Sequence, residues 1–316
     1  MNITKLYTVI TDSLNPYSNL ALEAKLLERC GPQDMMLYLW QNRRTVVIGR
    51  NQSAYRECRV ALLEQEGGHL ARRLSGGGAV YHDLGNLNFT FVTWKDNLSL
   101  EKQLGVILGA LKSLGIEAGF SGRNDILLNG RKFSGNAFYN TAQACYHHGT
   151  LMVDVDLDKV TRYLSASSAK LKANGVDSVR SRVINLKEAR ADLSIAMMKE
   201  ALISALEQSY GLPAEPLVLQ ADPGMYASRE WLFRKEVESN YELSQRCSFG
   251  EVTMKFVLDG GRIQAVSVFT DAMADDFCAP LEQLLKGRPV QDAAAAVEAS
   301  DLSVRKEIGA MLEELA

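Results

Sequence analysis

Cysteine is scarce and scattered. The five cysteines in 316 residues are Cys30, Cys58, Cys145, Cys247 and Cys278, an odd number with no Cys-x-x-Cys pair. This usage argues against a disulfide framework or a zinc site and fits a reducing compartment, so a cytoplasmic location is expected. Positive charge is not in excess either. Lys plus Arg total 35 against 38 Asp plus Glu, a formal net charge of −3. The basic stripe of a nucleic-acid binder is missing, and a slightly acidic chain gives no reason to expect a membrane surface. No apolar run approaches the ~20 residues that span a bilayer. The start, MNITKLYTVITDSLNPYSNL, lacks a basic stretch followed by a long apolar run, so no signal peptide is expected. Internal repeats and low-complexity blocks are absent as well.

What is present is an ordinary globular balance, 47% apolar and 23% charged residues. At roughly 150 residues per domain the length suggests two domains. Asn15-Pro16 reads as a helix N-cap with proline at the first turn, and Leu20, Ala24 and Leu27 then share one face before the stop at Gly31. Ser99 to Leu114 has leucine and isoleucine at helical spacing. Further helices are expected at 157–164, 194–210 and 229–238. MLYLW and TVVIGR read as strands, and AVYH and LNFTFV as two strands joined by a turn at Asp83–Asn86. Asn129-Gly130 is the strongest short-range hairpin signal. Past residue 246, Val252, Met254, Phe256 and Leu258 alternate, Asp259-Gly260-Gly261 turns, and IQAVSVFT returns. The expected fold is therefore α/β of the α+β type: a mixed sheet with helices over residues 1–245, then a small α/β domain over 246–316.

Three segments have the residue types that chemistry needs. Arg72-Arg73-Leu74-Ser75-Gly76-Gly77-Gly78-Ala79-Val80-Tyr81-His82-Asp83 places two guanidinium groups before three glycines. Glycine lets the backbone approach a ligand closely and turn its amides together on an anion, while arginine supplies planar donor forks for phosphate or carboxylate. The run is neither a phosphate-binding P-loop nor the dinucleotide fingerprint, because the spacing fits neither. Gly-rich stretches also serve as plain hairpin connections, and composition does not separate the two. In the second segment, a two-residue turn at Asn129-Gly130 pairs Leu127 with Lys132 and Asp125 with Ser134, putting all four on one strand face. Lys132 is then placed to neutralise a phosphate and Asp125 to hold magnesium or a ligand group; an ordinary surface ion pair is the competing reading. The third segment, Cys145-Tyr146-His147-His148, makes a poor metal site because adjacent strand residues face opposite ways. Cys145 near His147 leaves a thiolate nucleophile open.

In this order, RRLSGGGAVYHDLGNLNFTF, GRNDILLNGRKFSGNAFY, HHGTLM and SVRSRVINL resemble segments of the lipoate–protein ligases, with a Lys-x-Ser-Gly-x-Ala pattern at Lys132, Ser134, Gly135 and Ala137. The likeness runs through most of residues 1–245. SFGEVTMKF and AVSVFTD are more loosely similar to the accessory domain of bacterial ligases. The resemblance implies a fold shared with biotin ligases and, distantly, with class II aminoacyl-tRNA synthetases. It implies ATP, Mg2+ and lipoate, and lipoyl-domain acceptors such as 2-oxoacid dehydrogenase E2 subunits and the glycine cleavage H protein. By the same likeness Arg73, Gly78, Ala79, Val80, Tyr81 and Lys132 contact the nucleotide or the adenylate. Arg72, Ser75 and His82 are nearby candidates, and Asn124 and Asp125 face the same pocket. Leu20, Val46, Val47 and Leu127 are candidate walls of an acyl slot. Three rival readings stay open: an ATP-independent octanoyltransferase acting through Cys145, a transferase using only preformed lipoyl-adenylate, and a non-catalytic binder of acyl-nucleotides.

Overall fold

The structure, a computed structural model, describes residues 2–121, 125–165, 182–234 and 238–315. Its first part is built on an eight-stranded mixed sheet in the order β11-β1-β2-β6-β10-β9-β8-β7. These strands are β1 (Lys5–Ile10), β2 (Asp34–Trp40), β6 (Asn86–Trp94), β7 (Gly119–Phe120), β8 (Asp125–Leu128), β9 (Arg131–Asn140), β10 (Ala144–Met152) and β11 (Ala214–Pro216). β1 runs parallel to β2 and β11, and the remaining neighbours are antiparallel. A three-stranded sheet, β4-β3-β5, lies apart from it, formed by β3 (Thr45–Ile48), β4 (His69–Arg72) and β5 (Val80–His82).

Strand alternation explains how the large sheet is covered on both faces. Along β2, Met35, Leu37 and Leu39 join one apolar cluster, while Met36, Tyr38 and Trp40 join another. The first cluster packs under helices Leu100–Ser113 and Ile195–Tyr210, the second under helix Pro16–Arg29. Each fully buried side chain of this size contributes about 1.5–3 kcal/mol. The caps read from the sequence are in place. Asn15 Oδ1 accepts from the amides of Tyr17 (2.9 Å) and Ser18, Ser99 caps the second helix, and Gly211 ends the third in a left-handed conformation.

The last part forms an antiparallel sheet of β12 (Tyr241–Arg246), β13 (Glu251–Asp259) and β14 (Arg262–Thr270), with helices Cys278–Leu285, Ala293–Glu298 and Arg305–Leu312 packed on it. Three expectations need correction. The C-terminal sheet begins at Tyr241, not 246, because β12 pairs residue for residue with β13; its polar-rich sequence YELSQR hides the alternation. AVYH and LNFTFV are not partners: β5 pairs with β3 in the small sheet and β6 with β2 and β10 in the large one. The helix expected at 229–238 spans Arg229–Leu232 among the described residues.

Candidate active site

The cavity lies where the small sheet faces the large one, and its floor follows from the register. Trp40, Asn88 and Thr150 form one cross-strand rung of β2, β6 and β10; Tyr38, Thr90, His148 and Ala137 form the next. All point to the same face because side chains two apart on a strand share a side. Leu20 from helix Pro16–Arg29 and Val47, Val80 and His82 from the small sheet close over them. The result is a cavity of ≈400 Å³ that also takes in Arg73, Gly77, Gly78, Lys132 and Asp125. The lining thus joins apolar side chains to cationic groups and glycines.

The glycine bend leads into β5. Gly77 has φ 87°, a conformation that other residues rarely adopt. Arg73 holds the bend from within. Its Nη2 donates to the carbonyls of Gly76 (2.7 Å) and Gly78 (2.8 Å), its Nη1 to Val47, and its Nε to Ser75 Oγ. Burial lowers its pKa to about 10, which leaves the guanidinium charged at neutral pH. The C-terminal part closes this end. Ala272 O accepts the amide of Gly77 at 2.9 Å, and Asp271 and Met273 line the cavity. Asn51 ties the two parts together, donating to Asp275 Oδ2 at 2.9 Å and accepting from the amide of Thr270.

Opposite the bend, Lys132 Nζ lies 2.8 Å from Asp125 Oδ1, both about 40% exposed. The ammonium folds over Gly135, whose added Cβ would stand 3.0 Å from it. The Asn129-Gly130 turn forms with φ 52° and 75°, and Leu127 pairs with Lys132 as expected. A bulge after Ile126 then shifts the register, so Asp125 pairs with Gly135 and not with Ser134. Ser134 is buried and outside the cavity lining.

Behind the bend runs a buried polar chain. Ser75 Oγ meets His148 Nε2 at 2.8 Å, His148 Nδ1 meets Glu23 Oε1 at 2.8 Å, and the same carboxylate oxygen accepts from Thr90 Oγ1, which accepts in turn from Trp40 Nε1. Facing a carboxylate, His148 Nδ1 carries a proton. His82 is also buried, and burial followed by the Arg73 charge brings its pKa down to about 3, so it is neutral.

Of the residues singled out by sequence, the structure gathers Arg73, Gly78, Ala79, Val80, His82, Lys132 and Asp125 around one cavity. Three others belong elsewhere. Arg72 is buried and spends its guanidinium on the backbone carbonyls of Gly49, Arg50, Gln52, Trp231 and Leu232, because strand alternation turns it away from Arg73's neighbourhood. Tyr81, between Val80 and His82, packs on Tyr163 in a separate cluster. Ser75 stands behind the lining, bonded to Arg73 and His148. Asn124 lies outside the described residues, as does part of SVRSRVINL. Leu20 and Val47 line the cavity; Val46 and Leu127 do not. Cys145 and His147 face away from it, on the side opposite His148; the Cys145 thiol is buried and its pKa raised by desolvation. Sequence reasoning missed Trp40, Asn88, Glu23, His148 and Met273. Polar residues alternating with apolar ones in NLNFTFV were the available signal for Asn88 and Thr90.

Among the described residues no cluster of three metal-ligating side chains exists. Magnesium ordinarily takes only one or two protein carboxylates beside substrate phosphates, and Asp125 at the cavity wall fits that need.

A cavity whose lining joins apolar side chains to cationic groups and glycines defines a protein that handles an acyl chain and an anion together. The chain matches the lipoyl protein ligase A/B catalytic domain over residues 15–207 and the bacterial lipoate protein ligase C-terminus over 236–315. It is 36% identical to the lipoate-protein ligase A of Bdellovibrio bacteriovorus, over 90% of this chain and 88% of that one. It is 38% identical to that of Psychrobacter cryohalolentis, over 82% and 81%. The chain therefore belongs to the lipoate–protein ligase family. Among solved structures, P. falciparum LipL1 in complex with lipoate superposes with a TM-score of 0.80 at 25% identity, covering 96% of this chain and 99% of that one. The bipartite lipoate protein ligase of Thermoplasma acidophilum gives 0.64 at 26%, covering 74% and 99%.

Proposed function

We propose that this protein activates lipoate with ATP and transfers the lipoyl group to a lysine of a lipoyl-domain acceptor. The observation that carries this is the convergence of Lys132 and the glycine bend on one cavity with apolar walls. Neither half is specific alone, but together they hold an acyl carboxylate beside a phosphate. In the first step the lipoate carboxylate oxygen attacks the α-phosphorus, forming a mixed anhydride and expelling pyrophosphate. Negative charge grows on phosphoryl oxygens there, and Lys132 stabilises it. Asp125 would hold Mg2+, which supplies charge neutralisation at the phosphates. On this reading Lys132 leaves Asp125 for the phosphate when nucleotide arrives. In the second step the acceptor's lysine amine attacks the anhydride carbonyl. An amide forms, AMP leaves, and the amine's surplus proton passes to solvent. The acyl tail occupies the slot of Leu20, Trp40, Val47 and Ala137.

Arg73 shapes the bend, and Gly78, Ala79 and Val80 give it a wall against the adenylate. Residues before β12 form the catalytic part and the rest an accessory part that caps the bend through Ala272. The acceptors are E2 subunits of 2-oxoacid dehydrogenases and the glycine cleavage H protein, and the setting is cytoplasmic. The solved relative from T. acidophilum is described together with its E2 lipoyl domain, which supports an acceptor of that kind. No described helix is long and apolar enough to cross a membrane. Cys145, buried on the far side of β10, offers no support for a thioester route.

Lys132→Ala should fold normally, because the side chain is half exposed, and should lose about 10²–10³ in the rate of lipoyl-adenylate formation. ATP–pyrophosphate exchange with lipoate reads this directly. Exchange at near wild-type rate would remove Lys132 from the chemistry.

A further inference from the structure

Along β10 the side chains alternate between the two faces of the sheet. An added Cβ at Gly149 would meet the ring of Phe89 at 2.6 Å, in the apolar core on one side. Thr150, the next residue, turns to the other side, where it lines the cavity and is partly exposed. Its polar neighbours on this floor are held by protein partners. Asn88 accepts from Asn86 Nδ2 and donates to the carbonyl of Trp40, and His148 lies between Ser75 and Glu23. Thr150 is held on one side only: its Oγ1 accepts the amide of Gly135 at 3.3 Å. A hydroxyl also has one proton to donate, and among the described residues no group accepts that of Thr150.

Gly135 is also the residue over which the Lys132 ammonium folds. A cationic donor and a neutral one thus flank a single glycine at the cavity wall, with no side chain between them. With Lys132 given to the phosphoryl oxygens, Thr150 is a donor left for the acyl group beside them. We propose that Thr150 is a further catalytic residue: its hydroxyl donates to the lipoate carboxylate oxygen that does not attack phosphorus. The inference rests on the lipoate-activating reading above and assigns one more group to that reaction. In the first step the other carboxylate oxygen forms the bond to phosphorus and pyrophosphate leaves. The oxygen held by Thr150 stays on carbon as the carbonyl of the mixed anhydride. In the second step the acceptor amine attacks that carbon, and the carbonyl electron pair moves onto the same oxygen. The hydroxyl then faces growing negative charge, where a positioned donor lowers the barrier most. The pair returns as the bond from carbon to the AMP oxygen breaks, and the amine's surplus proton passes to solvent.

Thr150→Val keeps the branched shape and removes the hydroxyl, and Thr150→Ser keeps the hydroxyl. In ATP–pyrophosphate exchange, Thr150→Val should lose about tenfold or more in kcat/KM for lipoate, the scale of a hydrogen bond to a charged group, with the KM for ATP unchanged. Transfer from preformed lipoyl-adenylate to an isolated lipoyl domain, run without ATP, should slow by about 10²–10³. Thr150→Ser should recover most of both. KM does not depend on how much of the enzyme is folded, and Thr150→Ala is a second variant if the valine protein aggregates. A role confined to holding Gly135, and through it Lys132, would raise the KM for ATP along with that for lipoate. That outcome, a lipoate kcat/KM within about threefold of wild type in Thr150→Val, transfer at the wild-type rate, or no recovery in Thr150→Ser would each overturn the proposal. Failure of the wild type to activate lipoate at all would instead strike the ligase reading itself.

Discussion

Replacing Gly49 by alanine tests whether the glycine bend is held from outside by backbone contact. Gly49 follows β3, and a Cβ built on it would lie 2.2 Å from the carbonyl oxygen of Gly77 and 3.3 Å from the carbonyl carbons of Gly76 and Gly77. Ordinary contact starts near 3.4 Å, so the two backbones must part by about 1 Å. The bend has little room to do so. Arg73 grips Gly76 and Gly78, Ala272 holds the Gly77 amide, and the Arg50 amide donates to Ser75 O at 2.9 Å. Overpacking of this kind costs about 1–3 kcal/mol of stability. A displacement near 1 Å at a reacting centre costs about 10²-fold in rate. ATP–pyrophosphate exchange with lipoate, beside urea denaturation, measures both. Gly105→Ala serves as the control, because an added Cβ in helix Leu100–Ser113 meets nothing within 4 Å. A Gly49→Ala enzyme within about threefold of wild type would refute the reasoning, since rate losses on the 10²-fold scale are what a 1 Å shift implies.

Arg72→Met should act on stability before chemistry. It strips donors from five backbone carbonyls, three of them, those of Gly49, Gln52 and Leu232, in buried hydrogen bonds, and unsatisfied buried groups cost about 1–3 kcal/mol each. A loss of at least about 3 kcal/mol in urea denaturation is expected, against near-wild-type stability for Lys132→Ala. Acid should also weaken the fold early. Burial lowers His82 and His147 from 6.5 to about 3, so below pH 6.5 the unfolded chain binds protons that the folded one refuses. Stability is fully present above pH 6.5 and falls as pH drops toward 3, by up to about 1.4 kcal/mol per pH unit for each histidine. A flat Tm between pH 7 and pH 5 would contradict this.

Much of the fold was legible because its signals are local. Asn15-Pro16, Ser99 and Gly211 are caps whose hydrogen bonds close within four residues, and Asn129-Gly130 makes its turn with no help from afar. The bulge after Ile126 left no such trace, so the partner of Asp125 was misplaced by one residue. The separation of β5 from β6 was equally invisible, because the four residues Asp83–Asn86 serve a hairpin or a crossing between sheets alike. Arg72 and Arg73 show the same limit at the site. They are adjacent and chemically identical, yet one props the cavity wall and the other holds backbone carbonyls outside the lining, a distinction made only by the direction of a strand.

The amino-acid sequence by itself settled which chemistry was available: a glycine bend preceded by guanidinium groups, a lysine and an aspartate across a tight turn, and a C-terminal hairpin that forms its own core. These depend on residue type and short spacing, which the chain expresses without long-range contacts. Tertiary structure alone decided that they open onto one cavity, that Trp40, Asn88 and His148 from three strands make its floor, and that Ala272 reaches the bend from nearly 200 residues away. Such proximity is set by sheet register and packing, where a shift of one residue turns every side chain to the other face.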